Sequence, residues 1–415
     1  MKKNKITQKN RRDLLSRHSP AACFYRIQRH FFPGLPSWLN QMKDPRHPAY
    51  ITYSQSVLIT MILMKCNTGI ESMRQMTSVF NTEAAIENLR VIAGEADLEE
   101  KPDWQTINNY LERLPAERLE HIRYQMIRAL IRTKQFYPFT VEGRYCIIID
   151  GTDIAYFRGK HCKHDLVKIV IDQKTGEQRL QYYHKALEAK IVLGPGLILS
   201  IATEFIENED EKVSKQDCEL NAGFRLIRKL KKAFPRMDVL IIGDALFCTM
   251  PFMNAVRAAG WNYLFRVKSG RQGQLMEDFE YLLENTEDRI TISGLYPGEN
   301  GTGMFVNHVE EISNKPETCK MFHYLCRKEN TMEFDWVTDI ELSAEKLTCM
   351  IQAGRSRWKI ENEGFNTQKN GIYHLEHHCS LDWNAMKNHY LLIHVVSGFS
   401  ARQIRYCRHG SWILV

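Results

Sequence analysis

Asp150, Asp244 and Glu361 are the residues whose surroundings suggest chemistry. Cys146-Ile147-Ile148-Ile149 is a wholly apolar run that ends in Asp150-Gly151-Thr152. Such a run, closed by a glycine turn, reads as a buried strand that delivers a carboxylate to the rim of a sheet. Val239-Leu240-Ile241-Ile242 repeats the pattern and ends in Gly243-Asp244. One aspartate beside a glycine at a strand end is commonly only a turn, but two, each behind an all-apolar strand, can share hard divalent cations. Two Mg²⁺ or Mn²⁺ ions about 4 Å apart would clamp the attacking and leaving oxygens of an in-line phosphoryl transfer. The third piece is the block from Arg355 to Lys369. On a helix Arg357, Glu361, Phe365 and Lys369 are successive i, i+4 neighbours, so Glu361 stands between two cations, as a metal-binding carboxylate would beside a phosphate backbone. An exposed, ion-paired helix is the plainer reading of such charge. Gly364 in mid-helix and the large apolar Trp358 and Phe365 argue against a merely solvated face.

The elements that must position these residues alternate between strand and helix. Ala186–Val192 and Leu197–Ala202 flank Gly194-Pro195-Gly196 and read as a hairpin. Between Gln216 and Phe234 the apolar Leu220, Phe224, Ile227, Leu230 and Phe234 recur at helical steps. A short helix with proline at its start follows over 251–259, then a strand over 263–267. The result is a mixed α/β layer with aspartates at the ends of two strands. Residues 271–335 hold glycine-rich turns and alternating runs such as Met304–Val309 and Met321–Leu325, which predict a β-rich insertion. From Ser343 a helix is expected through Lys369, and another around Asn384–Val396. Upstream, residues 1–140 read as a basic arm and a helical domain, with helices over Ser54–Met64 and Thr106–Leu114 and Asp103 as an N-cap.

Composition narrows the partner. A chain of 415 residues suggests two or three structural units, and 44% apolar with 25% charged residues excludes disordered and collagenous classes. No apolar run is long enough for a membrane span. The basic start has no apolar stretch behind it, so a secretory signal is not expected. The net charge of +7 is unevenly placed: residues 1–30 hold nine Lys/Arg against Asp13 alone, and the tail 401–415 adds Arg402, Arg405 and Arg408 without an acid. Basic ends of this kind neutralise a polyanion. The 11 cysteines contain no CxxC pair, which predicts reduced thiols and a cytoplasmic protein. Two clusters, His161-Cys162-Lys163-His164 and His377-His378-Cys379, lack the ligand spacing of a structural zinc finger, so polar or DNA-facing roles are expected of them.

Taken together, the three acidic blocks resemble those of DDE transposases of the IS4 type. Asp150-Gly-Thr-Asp153 and Gly243-Asp244-Ala-Leu-Phe are similar to that family's first two acid motifs, and Arg355-x-Arg357-Trp358-x-Ile360-Glu361 to its third, Tyr-x2-Arg-x3-Glu-x6-Lys. The family's tyrosine position falls on Gly354, and its lysine position on Gln368, one residue before Lys369. A second register, Glu363 six residues before Lys369, would lose the Arg-x3-Glu relation, and Glu361 is preferred. The resemblance implies an RNase H-like mixed sheet flanked by helices over 141–400, interrupted by the 271–335 insertion. It further implies two divalent ions on Asp150, Asp244 and Glu361, transposon-end phosphates on Arg355, Arg357 and Lys369, and a homodimer acting on double-stranded transposon ends and target. An RNase H-like nuclease that cuts without joining, and a non-catalytic DNA-binding derivative, are the alternatives. Gly298-x-x-Gly301-x-Gly303 follows no expected strand and opens no helix, so it does not read as a nucleotide loop.

Overall fold

The structure, a computed structural model, describes residues 20–399 except 174, 196, 211, 269, 271–272, 286–288, 294, 296–299, 311–317, 328–330, 359 and 378, together with 404–406 and 412–414. The basic arm up to residue 19, and Arg402 and Arg408 of the tail, lie outside the described residues. Helices come first: α1 Pro20–Phe31, α2 Leu35–Gln41, α3 Gln55–Thr68, α4 Met73–Val79, α5 Glu83–Ala93, α6 Trp104–Arg113 and α7 Ala116–Arg132. Then follow β1 Tyr145–Phe157, β2 Leu166–Ile171, β3 Gln178–Gly194, β4 Leu197–Ile206, α8 Glu219–Ala233, β5 Val239–Gly243, α9 Met250–Ala258 and β6 Asn262–Arg266. Next are α10 Gly273–Glu284, β7 Arg289–Ser293, β8 Asn300–Glu310, β9 Thr318–Arg327 and β10 Thr331–Thr338. The chain continues through α11 Ala344–Arg355, a π-helix Ile360–Phe365, α12 Asn366–Asn370, α13 Trp383–Ser397 and a short pair, β11 Ile404–Tyr406 and β12 Trp412–Leu414.

Contacts divide the chain into two compact units: residues 1–136, 194–201 and 363–415, and residues 137–193 with 202–362. The first is helical. Its α3 is buried from Gln55 to Cys66 and α13 at nearly every position from Trp383 to Ser397. Helices apolar on all sides must be enclosed by others, and α13 packs on α3, α6 and α7. By contacts, residues 363–415 group with the N-terminal helices rather than with 137–193 and 202–362. Asn384 and Asn388 on α13 donate to the carbonyls of Leu111 and Leu114, satisfying the acceptors that the end of α6 leaves over. Asp103 caps α6 as the sequence predicts, and Ser54, expected inside its helix, instead caps α3, which runs on to Thr68.

The second unit is a mixed sheet in the order β2-β3-β1-β5-β6-β10-β9-β8-β7, with β4 also on β3. β1 is antiparallel to β3 but parallel to β5, and β5 is parallel to β6. The expected α/β layer is therefore present, with two departures. The hairpin of β2 with the first half of β3 was missed, because its outward Ile169, Ile171 and Leu180 break the inside-outside alternation that marks a strand. The 271–335 stretch begins with a helix, α10, and its strands extend the main sheet through β10 on β6. Its glycines serve packing: Gly301 lies under the Tyr324 ring and Gly303 under Leu347.

Candidate active site

Parallel pairing sets Ile148 of β1 beside Ile242 of β5. Asp150 and Asp244 each stand two residues further on. Asp244 lies just past the end of β5, but Asp150 does not end its strand as the sequence suggests, because β1 runs on to Phe157 with Asp150 paired to Glu188 of β3. Each is oriented by a backbone amide: Gly151 N–H donates to Asp150 Oδ1 at 2.9 Å, and Leu246 N–H to Asp244 Oδ1 at 2.9 Å. Gly151 lets the Glu219 carboxyl approach closely, since a Cβ there would lie 2.6 Å from it.

Glu361 arrives from the other side of the sequence. The helix expected to run unbroken from Ser343 to Lys369 stops at Arg355, turns through Ser356 and Arg357, and resumes as the π-helix. The Ser356 hydroxyl donates back to the Ala353 carbonyl at 2.6 Å, a local bond that competes with helix continuation. Gly354 explains the departure at the family's tyrosine position. A Cβ there would lie 2.5 Å from the Trp336 indole, so no larger side chain fits between α11 and β10. Arg357 then reaches both acids, with Nη1 at 3.4 Å from Asp150 Oδ2 and 3.2 Å from Glu361 Oε1.

Electrostatics records the crowding. Burial pushes the Asp150 carboxyl up to about 7. The Arg357 guanidinium opposes the rise, and the charges of Asp244 and Glu361 add to it. Three carboxylates thus share one neighbourhood, relieved by one guanidinium. Hard oxygen donors that repel one another in a half-buried site suit a small divalent cation, so this donor set fits Mg²⁺ or Mn²⁺.

The other predicted residues have partners of their own. Arg355 stacks over Phe334, 5.1 Å from the ring centre, and near Tyr324, while Arg266 covers Phe334 and Trp336 at 4.6 and 5.3 Å. Lys369 belongs to the helical unit and pairs with Glu376 at 2.9 Å, and Gln368 is buried there against His394 at 3.0 Å. The side chain of Glu363, the second register, lies outside the described set. Asp153 is held by Tyr156, Lys168 and Lys185. Of the second histidine cluster, His378 is outside the described residues, His377 lies 3.5 Å from Glu71, and Cys379 is close to Lys65 and Cys66.

Sequence reasoning overlooked Glu188, the direct cross-strand partner of Asp150, which is fully buried and accepts from the Thr203 hydroxyl. It also overlooked Lys185, paired with Glu219 at 2.5 Å, and Arg266. Only the β1–β3 register reveals the first two. An arginine at a strand end was the one local signal for the third.

No protein-family profile matches the chain, and no curated protein matches its sequence. Among solved structures, a piggyBac transposase in a synaptic complex with hairpin DNA is similar at TM-score 0.43 and 12% identity, over 91% of this chain and 73% of that one. The NurA nuclease from Sulfolobus solfataricus is similar at TM-score 0.24 and 12% identity, over 58% and 84%. At these scores neither likeness bears on function.

Proposed function

We propose that the chain is a transposase of the DDE class that cuts and joins double-stranded transposon ends, with Asp150, Asp244 and Glu361 as its catalytic acids. The observation that carries this reading is the nearness of the three: Asp150 within β1 is close enough to Asp244, just past the end of the parallel β5, and to Glu361 for both charges to raise its pKa, and one arginine ties it to Glu361. A β1 flanked by antiparallel β3 and parallel β5 supports an RNase H-like reading of the sheet. Asp150, Asp244 and Glu361 would hold the divalent ions, which would supply Lewis acidity for in-line attack on a DNA phosphate. The chain's own residues do the positioning. Backbone amides fix one oxygen of Asp150 and one of Asp244, which orients the second oxygen of each. Arg357 neutralises Asp150 and Glu361 in the resting protein and is placed to meet a phosphate beside them. Arg355 and Lys369 belong to the same reading as further phosphate contacts. The basic arm adds sequence-independent affinity, and the active species is a homodimer on paired ends.

The test uses the full chain with DNA that flanks its own reading frame, in Mg²⁺ and in Mn²⁺. Metal-dependent cleavage and strand-transfer products are expected. Asp150→Asn, Asp244→Asn and Glu361→Gln should each lose about a thousandfold in cleavage, since a metal ligand is worth several kcal/mol in the transition state. Cleavage without joined products would move the reading to a nuclease. Full activity in any of the three variants would remove that acid from the site.

A further inference from the structure

The loop between β1 and β2 carries a second arrangement of side chains, which the proposed chemistry does not use. His161, Cys162 and Asp165 lie on that loop and His184 lies on β3, and one ligand atom from each falls within 4.8 Å of all the others. Spacing hid the set because its fourth member stands 19 positions after Asp165. Register supplies it: β2 pairs with β3 through Leu166 and Tyr183, so Asp165 and His184 are the next positions along the two strands. On the other side His184 faces Ala155 of β1.

The details suit a closed cation site. Asp165 Oδ2 accepts the backbone N–H groups of His161 at 2.6 Å and Cys162 at 3.0 Å. That anchorage turns Oδ1 towards Cys162 Sγ at 3.3 Å and His184 Nε2 at 3.3 Å, and Cys162 Sγ lies 3.7 Å from His184 Nε2. A tetrahedral Zn²⁺ with ordinary bonds to sulfur, nitrogen and oxygen separates its ligand atoms by about 3.4–3.6 Å, so the three distances already approximate the edges of such a tetrahedron. The His161 ring is stacked on Phe157 at 4.1 Å, and its buried Nδ1 has no hydrogen-bond partner among the described residues. Asp165 and His184 are almost wholly buried. The backbone behind them is braced as outer-shell partners brace metal ligands: Asn208 Nδ2 donates to the Asp165 carbonyl at 2.7 Å, and the Asn208 carbonyl lies 2.8 Å from His164 Nδ1.

We propose that His161, Cys162, Asp165 and His184 bind one structural zinc ion that clamps the β1–β2 loop onto β3. On binding, the Cys162 thiol proton leaves to solvent and the thiolate sulfur becomes the ligand. Four protein ligands close the coordination sphere, so this ion takes no part in the acid site's chemistry. The proposal stands independently of the transposase reading.

The full chain, produced without a polyhistidine tag in zinc-replete medium, should retain about one zinc per chain by elemental analysis. After removal of zinc by a chelator and addition of Co²⁺ alone, a thiolate-to-cobalt charge-transfer band and tetrahedral d–d bands are expected. Cys162→Ser should abolish the charge-transfer band, and His161→Ala should weaken zinc binding at least about tenfold. Asp150→Asn with Asp244→Asn should leave the zinc content unchanged. Because His161 sits on the half-exposed loop, its variant remains informative if Cys162→Ser fails to fold, and the wild-type cobalt spectrum needs no variant. A wild-type chain without zinc and without a charge-transfer band overturns the proposal. So does zinc retained undiminished in folded Cys162→Ser or His161→Ala.

Discussion

Two places along β1 gather ligand-type side chains, and they are built in opposite ways. At Asp150 the donors are all carboxylates, their charges repel, and an arginine shields them. Five residues on, opposite Ala155, the donors are mixed nitrogen, sulfur and oxygen, and the aspartate among them is anchored by two amides. On the proposed reading a divalent cation would relieve the charge of the first, which leaves Glu361 more than half exposed, at 54%. The second is closed, with His184 at 0% exposure. An exchangeable hard cation for chemistry suits the one, and a permanent borderline cation for structure suits the other. The same sheet register produces both.

Selective metal removal is the largest effect by which this contrast can be broken. Brief EDTA treatment should abolish cleavage, about a thousandfold if several kcal/mol of charge stabilisation go with the ions. Mg²⁺ alone should then restore it while elemental analysis shows zinc unchanged. Activity that returns only with Zn²⁺ would mean the two sites have been assigned the wrong way round.

Next in size is the pH dependence of stability without metal. The Asp150 carboxyl titrates near 7 in the folded chain against an ordinary 3.8. A pKa raised on folding gives stability that is complete below about pH 4 and is lost as the pH climbs through about 7. Asp150→Asn should therefore stabilise the EDTA-treated protein by about 2–4 kcal/mol at pH 8 and by little at pH 4. Denaturant melts at the two pH values measure it. An equal gain at both would show that Asp150 is not the crowded group.

Smallest are the two glycines that let neighbours close on the acid site. Gly354→Ala drives a methyl to 2.5 Å from the rigid Trp336 ring and should cost about 1–3 kcal/mol. Gly151→Ala meets only the end of the Glu219 side chain, which can swing aside, and should cost less than about 1 kcal/mol. Thermal melts rank the pair, and the reverse order would place the strain at Gly151, inside β1.

Much of this was legible beforehand. The apolar runs ending at Asp150 and Gly243, the cap at Asp103 and the i, i+4 pair Arg357–Glu361 are local, and local spacing determines them. The sequence by itself determined which runs are buried strands, because an all-apolar run leaves a strand no other place, but not that β1 continues past Asp150 to Phe157. Register was beyond it. Nothing in the chain near residue 161 announces His184, and nothing near Asp150 announces Glu188, because strand pairing joins residues far apart in sequence. The close approach of the Trp336 ring to Gly354 was also invisible. A π turn takes one residue more than an α turn, so counting α-helical steps from Glu361 to Lys369 fails. Tertiary structure alone decided these points, because each depends on what a distant strand or ring places beside the chain.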